Sequence, residues 1–259
     1  MEGIRIDTDG RVLSLTMDRP GTLNALTEAM SERLAEELAA ASTRPEIRVV
    51  VLRGAGAAFS SGADLSGQEP HESRESLGDT SLDRANRVIR ALVALDEPCV
   101  AVVEGVAAGV GCSIALACDL VVAAPSARFL LAFSRIGLMP DGGATATVAA
   151  SVGRARAMRM ALLAEPMSAR TAYDAGLVSH LAEEGELERT VREIVERLAS
   201  GPPLAYAATK RAVNDATLGD LDDALGRERV GQTALLRSRD VAEGIAAFRD
   251  KRPARFTGG

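Results

Sequence analysis

Hydrophobic and polar positions alternate from the first residues. GIRIDTDGRVLSLTMDRP reads as two half-buried strands about a tight turn at Asp9-Gly10. The period then lengthens. LTEAMSERLAEELAAAS places apolar residues at helical spacing, with Thr27 as the N-cap. EIRVVVLRG, PCVAVVEG and LVVAAP are short, almost wholly apolar runs and are read as buried strands. LDRANRVIRALVALD and VGCSIALACD have helical character, so strand and helix alternate and an α/β layered fold is expected. The polar stretch ADLSGQEPHESRESLGDTS is expected to be a mobile loop or a poorly ordered helix. Past about Ala144 the strand signal fades, apart from a short run at Leu177 to Leu181. The helices expected there are GRARAMRMALLA, SARTAYDAG, ELERTVREIVERLAS, LAYAATKRAVNDAT and DLDDALGRERVGQTALLRS. No linker or low-complexity tract divides the chain.

Composition narrows the function classes. The chain has 259 residues, 47% of them apolar, enough for a full hydrophobic core. Net charge is −6 with acids and bases interspersed, which offers no basic stripe to nucleic acid. There is no apolar run of membrane-spanning length and no signal pattern, so a cytoplasmic protein is expected. Cys99, Cys112 and Cys118 lie in apolar segments without a CxxC and are read as buried small hydrophobes. His71 and His180 stand alone, which argues against a histidine triad or a histidine-rich metal site. No metal is expected.

Candidate chemistry gathers where strands run into glycines. RGAGAAFSSGADL and EGVAAGVGCSIAL each join a buried strand to small residues. Backbone N–H groups can turn outward there, because Gly and Ala place no bulk over them. The second run leads into a helix, whose first N–H groups are unpaired. Two such groups aimed at one point would hold a carbonyl oxygen, and hold it more strongly as an oxyanion. Tight strand–helix packing is the other use of such residues. In RIGLMPDGGAT, Asp141 is either a turn residue or an acid/base group. No G-x-G-x-x-G opens a first strand–helix turn, which lowers a dinucleotide-binding reading.

Six stretches lie in order along the chain: RPGTLNALT, FSSGADL, VEGVAAGVGCSIALACDLVVAA, ARFLLAFSRIGLMPDGG, SARTAYDAGLVS and EGIAAFRDKRPARF. Together they resemble the enoyl-CoA hydratase/isomerase family, also called the crotonase superfamily. The resemblance implies a spiral of ββα units over 1–195 and a helical trimerisation region over 196–259, assembled as a homotrimer or a dimer of trimers. It implies an acyl-CoA thioester as substrate, with coenzyme A part of that substrate and no separate cofactor. Neither nucleic acid nor membrane is an expected partner. The family polarises the thioester oxygen with two backbone N–H groups, which map onto Ala63 and Val110. Val110 departs from the glycine common at its position, so its isopropyl group must point away from the thioester. Hydratases of the family carry two glutamates where this chain has Ser113 and Phe133. Neither residue exchanges protons as a carboxylate does. AFSRIGLMPDGG instead resembles the branch that shifts double bonds, including the ring-isomerising enzyme of phenylacetate degradation. In that branch the aspartate of PDGG is the acid/base group, which maps onto Asp141.

An apolar lining of Phe133, Leu138 and Met139 would raise the pKa of Asp141 and make it a better base. Gly21, Thr22 and Leu23 match the family's strip for the CoA adenine and pantetheine. Ser61, Leu65 and Gly109 flank the two glycine motifs and are expected at the substrate. Asp64 either faces substrate or caps backbone N–H groups, the commoner use of such an Asp. Ser113 either bonds substrate or bonds back within its helix. Phe248 and Lys251 match a C-terminal pair whose lysine reaches CoA phosphate; a solvated helix end is the alternative for Lys251. Asp119 and Glu104 border buried strands and are read as structural. Three functions are therefore open: a double-bond isomerase using Asp141, a hydratase or lyase with altered acid/base groups, and a catalytically silent acyl-CoA binder.

Overall fold

The structure, a computed structural model, describes residues 3–66 and 74–259. Part of the polar stretch expected as loop or poorly ordered helix, residues 67–73 with His71, lies outside the described residues.

β1 (Ile4–Asp9) and β2 (Val12–Met17) form the expected antiparallel hairpin. Asp9 pairs with Val12, so the turn residues are Gly10 and Arg11, one position later than the sequence suggested. Gly10 supplies the positive φ of +55° that a two-residue hairpin turn requires. α1 (Glu28–Ala41) follows, and the Thr27 hydroxyl caps it by accepting from the N–H of Met30 at 3.2 Å. β3 (Val49–Gly54), α2 (Arg74–Ala94), β4 (Cys99–Val103) and β6 (Leu120–Ala123) continue the alternation of strand and helix. With β9 (His180–Leu181) they complete a six-stranded sheet of order β1-β2-β3-β4-β6-β9, parallel from β2 onward. A second sheet, which the sequence reading missed, pairs β5 (Val106–Ala108), β7 (Arg128–Leu130) and β8 (Met167–Ser168).

The parallel strands are buried on both faces, which explains their continuous apolar runs. Val49, Val51, Val100, Val102 and Val122 pack with Val191 and Val195 of α6 (Leu187–Ser200). Val50, Leu52, Ala101 and Val121 belong to the larger core with Met30, Leu34, Ile89 and Leu92. The division expected between residues 195 and 196 falls within α6. Beyond it, α7 (Pro203–Thr217), α8 (Leu221–Leu236) and α9 (Arg239–Arg249) form the helical C-terminal region.

That region is fastened to the sheet layers. Lys210 of α7 is buried, with its ammonium 2.8 Å from the Asp119 carboxylate and 2.9 Å from the carbonyl of Leu92. Asp119 also accepts from the N–H of Cys99 at 2.7 Å, so its role is structural, as expected. The three cysteines are free and buried. Among the described residues no helix is long and apolar enough to cross a membrane.

Candidate active site

Three loops at the ends of strands meet with the segment that follows β3, residues 55–66, in one place. The first starts at the turn Pro20–Thr22, after which Leu23 and Asn24 take left-handed backbone angles. Asn24 holds them there from a fully buried position: its amide donates to the carbonyls of Ala55 and Ala58, and its oxygen accepts from the N–H of Arg19. Residues 21–23 are thereby laid along residues 61–63. Ser61 N–H donates to the Leu23 carbonyl at 2.8 Å, and its hydroxyl to the Thr22 carbonyl at 3.1 Å.

Leu26 bridges Ala63 in parallel fashion, donating to the Gly62 carbonyl and accepting from the N–H of Asp64. The N–H of Ala63 therefore faces the opposite side of the strand. The second loop follows β5 and opens α3 (Val110–Leu116) at Gly109. Val110 is the first residue of that helix, so its N–H has no intrahelical acceptor. Gly62 and Gly109 bring the segment after β3 against the loop after β5. Both have positive φ, and a Cβ on Gly62 would stand 2.9 Å from the Ala108 carbonyl oxygen. Only glycine at that position permits so close an approach. The two N–H groups, Ala63 and Val110, thus come from adjacent backbones, an arrangement able to hold an oxyanion.

The third loop carries Asp141. Gly142 and Gly143 follow it with φ of +63° and +72°, turning the chain into α4 (Ala144–Leu163). The Ser113 hydroxyl donates to the backbone carbonyl of Asp141 at 2.8 Å, so Ser113 anchors this loop to α3. The Val110 side chain is buried and its Cγ2 lies on the Gly142 side.

Asp141 is buried and its two carboxylate oxygens differ. Oδ2 accepts from the Gln232 amide of α8 at 2.8 Å. Oδ1 has no partner; among the described residues it shares that condition with one other buried side-chain atom, Oε2 of Glu97. Burial pushes the Asp141 pKa up from 3.8 to about 7; the Gln232 hydrogen bond opposes the rise and the nearby Glu228 charge adds to it. The direction is the one the apolar motif suggested. Phe133 is buried and Leu138 half-buried, but the Met139 thioether lies against Gly231 of α8. A carboxyl group whose pKa lies near neutrality, with one bare oxygen, can take a proton from carbon and return it.

Asp64 is otherwise engaged. Its Oδ2 pairs with Arg19 at 2.7 Å and its Oδ1 accepts from the N–H and hydroxyl of Ser66. The Ser66 bonds, then Arg19, hold its pKa down to about 2. Both oxygens are taken within the chain, so the capping alternative describes Asp64 and a substrate contact through its carboxylate does not.

The chain matches the family model described as Enoyl-CoA hydratase/isomerase over residues 7–259. It is 38% identical over 261 residues to the 1,2-epoxyphenylacetyl-CoA isomerase of Escherichia coli K12, covering 100% of this chain and 99% of that one. The chain belongs to the enoyl-CoA hydratase/isomerase family. The 2,3-dehydroadipyl-CoA hydratase of the same organism is also similar, 36% identical over 258 residues and 100% of both chains. A crystal structure of an enoyl-CoA hydratase from Mycobacterium avium subsp. paratuberculosis K-10 superposes with a TM-score of 0.91, 48% identity and 98% of each chain covered.

The family's C-terminal pair is exposed here. Phe248 is 66% exposed near the end of α9, and Lys251 follows that helix with a left-handed φ of 54°. The same helix end touches the segment after β3, because Arg249 donates to the Leu65 carbonyl at 3.0 Å. Arg249, which lies between Phe248 and Lys251 in the chain, thus ties this helix end to Leu65. Gly21, Thr22 and Leu23 are exposed beside Ser61.

Two residues of the site were missed in the sequence. Glu228 and Gln232 are each 1% exposed. Glu228 accepts from the N–H groups of Gly143 at 2.7 Å and Thr145 at 2.9 Å, and from the Thr145 hydroxyl. It sits at the N-terminal end of α4, where a carboxylate is favoured. Gln232 donates to Asp141 and accepts from the N–H of Met139 at 3.2 Å. A signal existed. Leu221, Ala224, Leu225, Glu228 and Gln232 are the buried stripe of α8. Two polar residues in register with that apolar face need buried partners.

Proposed function

We propose that this acyl-CoA enzyme shifts a carbon–carbon double bond, with Asp141 as the proton carrier. The observation that carries the reading is the bare, buried Oδ1 of a carboxyl group whose pKa is about 7. It stands in a chain with Ser113 and Phe133 at the positions of the hydratase glutamates, and Ser113 spends its hydroxyl on the Asp141 carbonyl. Similarity to a 1,2-epoxyphenylacetyl-CoA isomerase supports the same direction.

The thioester oxygen of a 3-enoyl-CoA would accept from the N–H groups of Ala63 and Val110. Asp141 Oδ1 takes the proton from C2, and the electron pair of the C–H bond spreads into a dienolate. Its oxyanion is held by the two N–H groups, which were in place before the charge formed. Asp141, whose carboxyl proton exchanges with solvent in part of the turnovers, then gives a proton to C4, leaving the double bond between C2 and C3 and the carboxylate as it began. One carboxyl group suffices because nothing is added to or lost from the substrate. Gly21, Thr22 and Leu23 would lie along the CoA, with Phe248 and Lys251 toward its phosphates.

A panel of 2-enoyl, 3-enoyl and ring-epoxide CoA esters in D2O, followed by mass spectrometry, tests this. The reading requires deuterium at C2 or C4 without net gain of water. Product that gains the mass of a water identifies a hydratase, and binding without exchange identifies a silent acyl-CoA protein; either outcome overturns it.

A further inference from the structure

The bond between Gln232 and Asp141 joins the helical C-terminal region to the proton-carrying loop, and it is asymmetric. The Gln232 amide makes two contacts in opposite senses. Its Nε2 donates to Asp141 Oδ2, and its Oε1 accepts from the backbone N–H of Met139 two residues earlier. The second contact fixes the amide's orientation: an oxygen facing an N–H leaves the NH2 group facing the carboxylate. An amide so oriented allows Asp141 one rotation about its last torsion, with Oδ2 tied and Oδ1 bare. Ser113 and Glu228 hold the loop's backbone from either side but touch neither carboxylate oxygen. We propose that Gln232 is the positioning residue that makes Oδ1 the proton-carrying oxygen of Asp141 and sets how readily that carboxyl group ionises.

The inference rests on Asp141 being the proton carrier. The consequence for ionisation follows from the donor's chemistry. An N–H group aimed at a carboxylate favours the charged form, so its removal lets burial act unopposed. The charged neighbour of Asp141 is Glu228, one helical turn before Gln232 on α8, with Arg227 next to it. From α3 the loop meets Val110 and Ser113, neither of which titrates in the working range.

Gln232→Met removes the donor at nearly constant volume. Gln232→Glu keeps an acceptor for the Met139 N–H while placing an oxygen where the donor was. For both, the rise of kcat/KM with pH for 3-hexenoyl-CoA should move to higher pH by about one unit. kcat at pH 7 should fall at least about tenfold, on the scale of a misplaced general base. KM should change by less than about threefold, since Gln232 touches no part of the thioester. A residue that merely packs would lower the melting temperature and leave the pH profile in place. An unchanged profile in both variants overturns the proposal, as does failure of both to fold. Asp141→Asn, measured alongside, separates the two levels. If it remains active, the proton-carrier reading fails. If it is inactive while the Gln232 variants keep the parent profile, only the positioning role fails.

Discussion

Asp141 combines properties that stability and catalysis value differently. Its pKa in the folded chain is about 7, above the ordinary 3.8. The folded state therefore binds this proton more tightly than the unfolded one does. The contribution to stability is full below about pH 4 and is lost as pH rises through about 7. At one pKa unit per about 1.4 kcal/mol, the loss is at most a few kcal/mol. Urea unfolding of the parent should show this decline between pH 4 and pH 8, and Asp141→Asn should flatten it. Catalysis runs the other way. The base form is needed, so kcat/KM for an enoyl-CoA substrate should climb through about pH 7 and then level off. A profile flat from pH 5 to pH 9 would contradict it. The aspartate itself was legible in the motif PDGG, and so were the N–H groups of Ala63 and Val110. Gln232 was not, because its meeting with Asp141 spans 91 positions of sequence and no local pattern records it.

At the scale of elements, length decided what could be read. Strands of four to six residues, such as β3, β4 and β6, showed their apolar runs in the sequence. β5, β7 and β8, at two or three residues, are too short to display a period. The first half of α4 was hidden for another reason. ATATVAAS is built of small residues, alanine and valine mixed with hydroxyls, and shows no apolar stripe; the helix breaks at Gly153, with φ of 74° and ψ of 162°. The place of Lys210 between Asp119 and the end of α2 is long-range information that no local pattern records. Lys210→Met should cost about 3 kcal/mol by chemical denaturation. That is the low end for breaking a buried pair, since Asp119 retains some contact with water. Adding Asp119→Asn should recover part of the loss, because the orphaned charge is then gone. A single variant as stable as the parent would show that the latch contributes nothing.

The whole molecule presents large apolar side chains that a lone subunit leaves in water. Leu162 and Leu163 end α4, Leu204 begins α7 and Val230 projects from α8, all more than 60% exposed. Val230 lies on the opposite side of α8 from the buried Glu228 and Gln232. We expect these surfaces to be covered by further copies of the chain in a trimer or dimer of trimers, with α8 then clamped between its neighbour and the Asp141 loop. Sedimentation equilibrium at micromolar concentration should give the mass of three or six chains; the mass of one chain would contradict the expectation. Val230→Asp should weaken assembly and lower kcat together, whereas weaker assembly at unchanged kcat would show that the site is complete within one subunit.

The most direct measurement is solvent exchange by Asp141→Asn. The parent and the variant are incubated with 3-hexenoyl-CoA in D2O, deuterium at C2 and C4 is followed by mass spectrometry, and affinity for the acyl-CoA is measured in parallel. Asparagine keeps the size of the side chain and an acceptor for Gln232 but cannot take up a proton. Affinity should stay within a few-fold of the parent, and exchange should slow by at least about 10²-fold, the scale of a lost general base. A folded variant that exchanges deuterium at the parent rate would contradict Asp141 as the proton carrier.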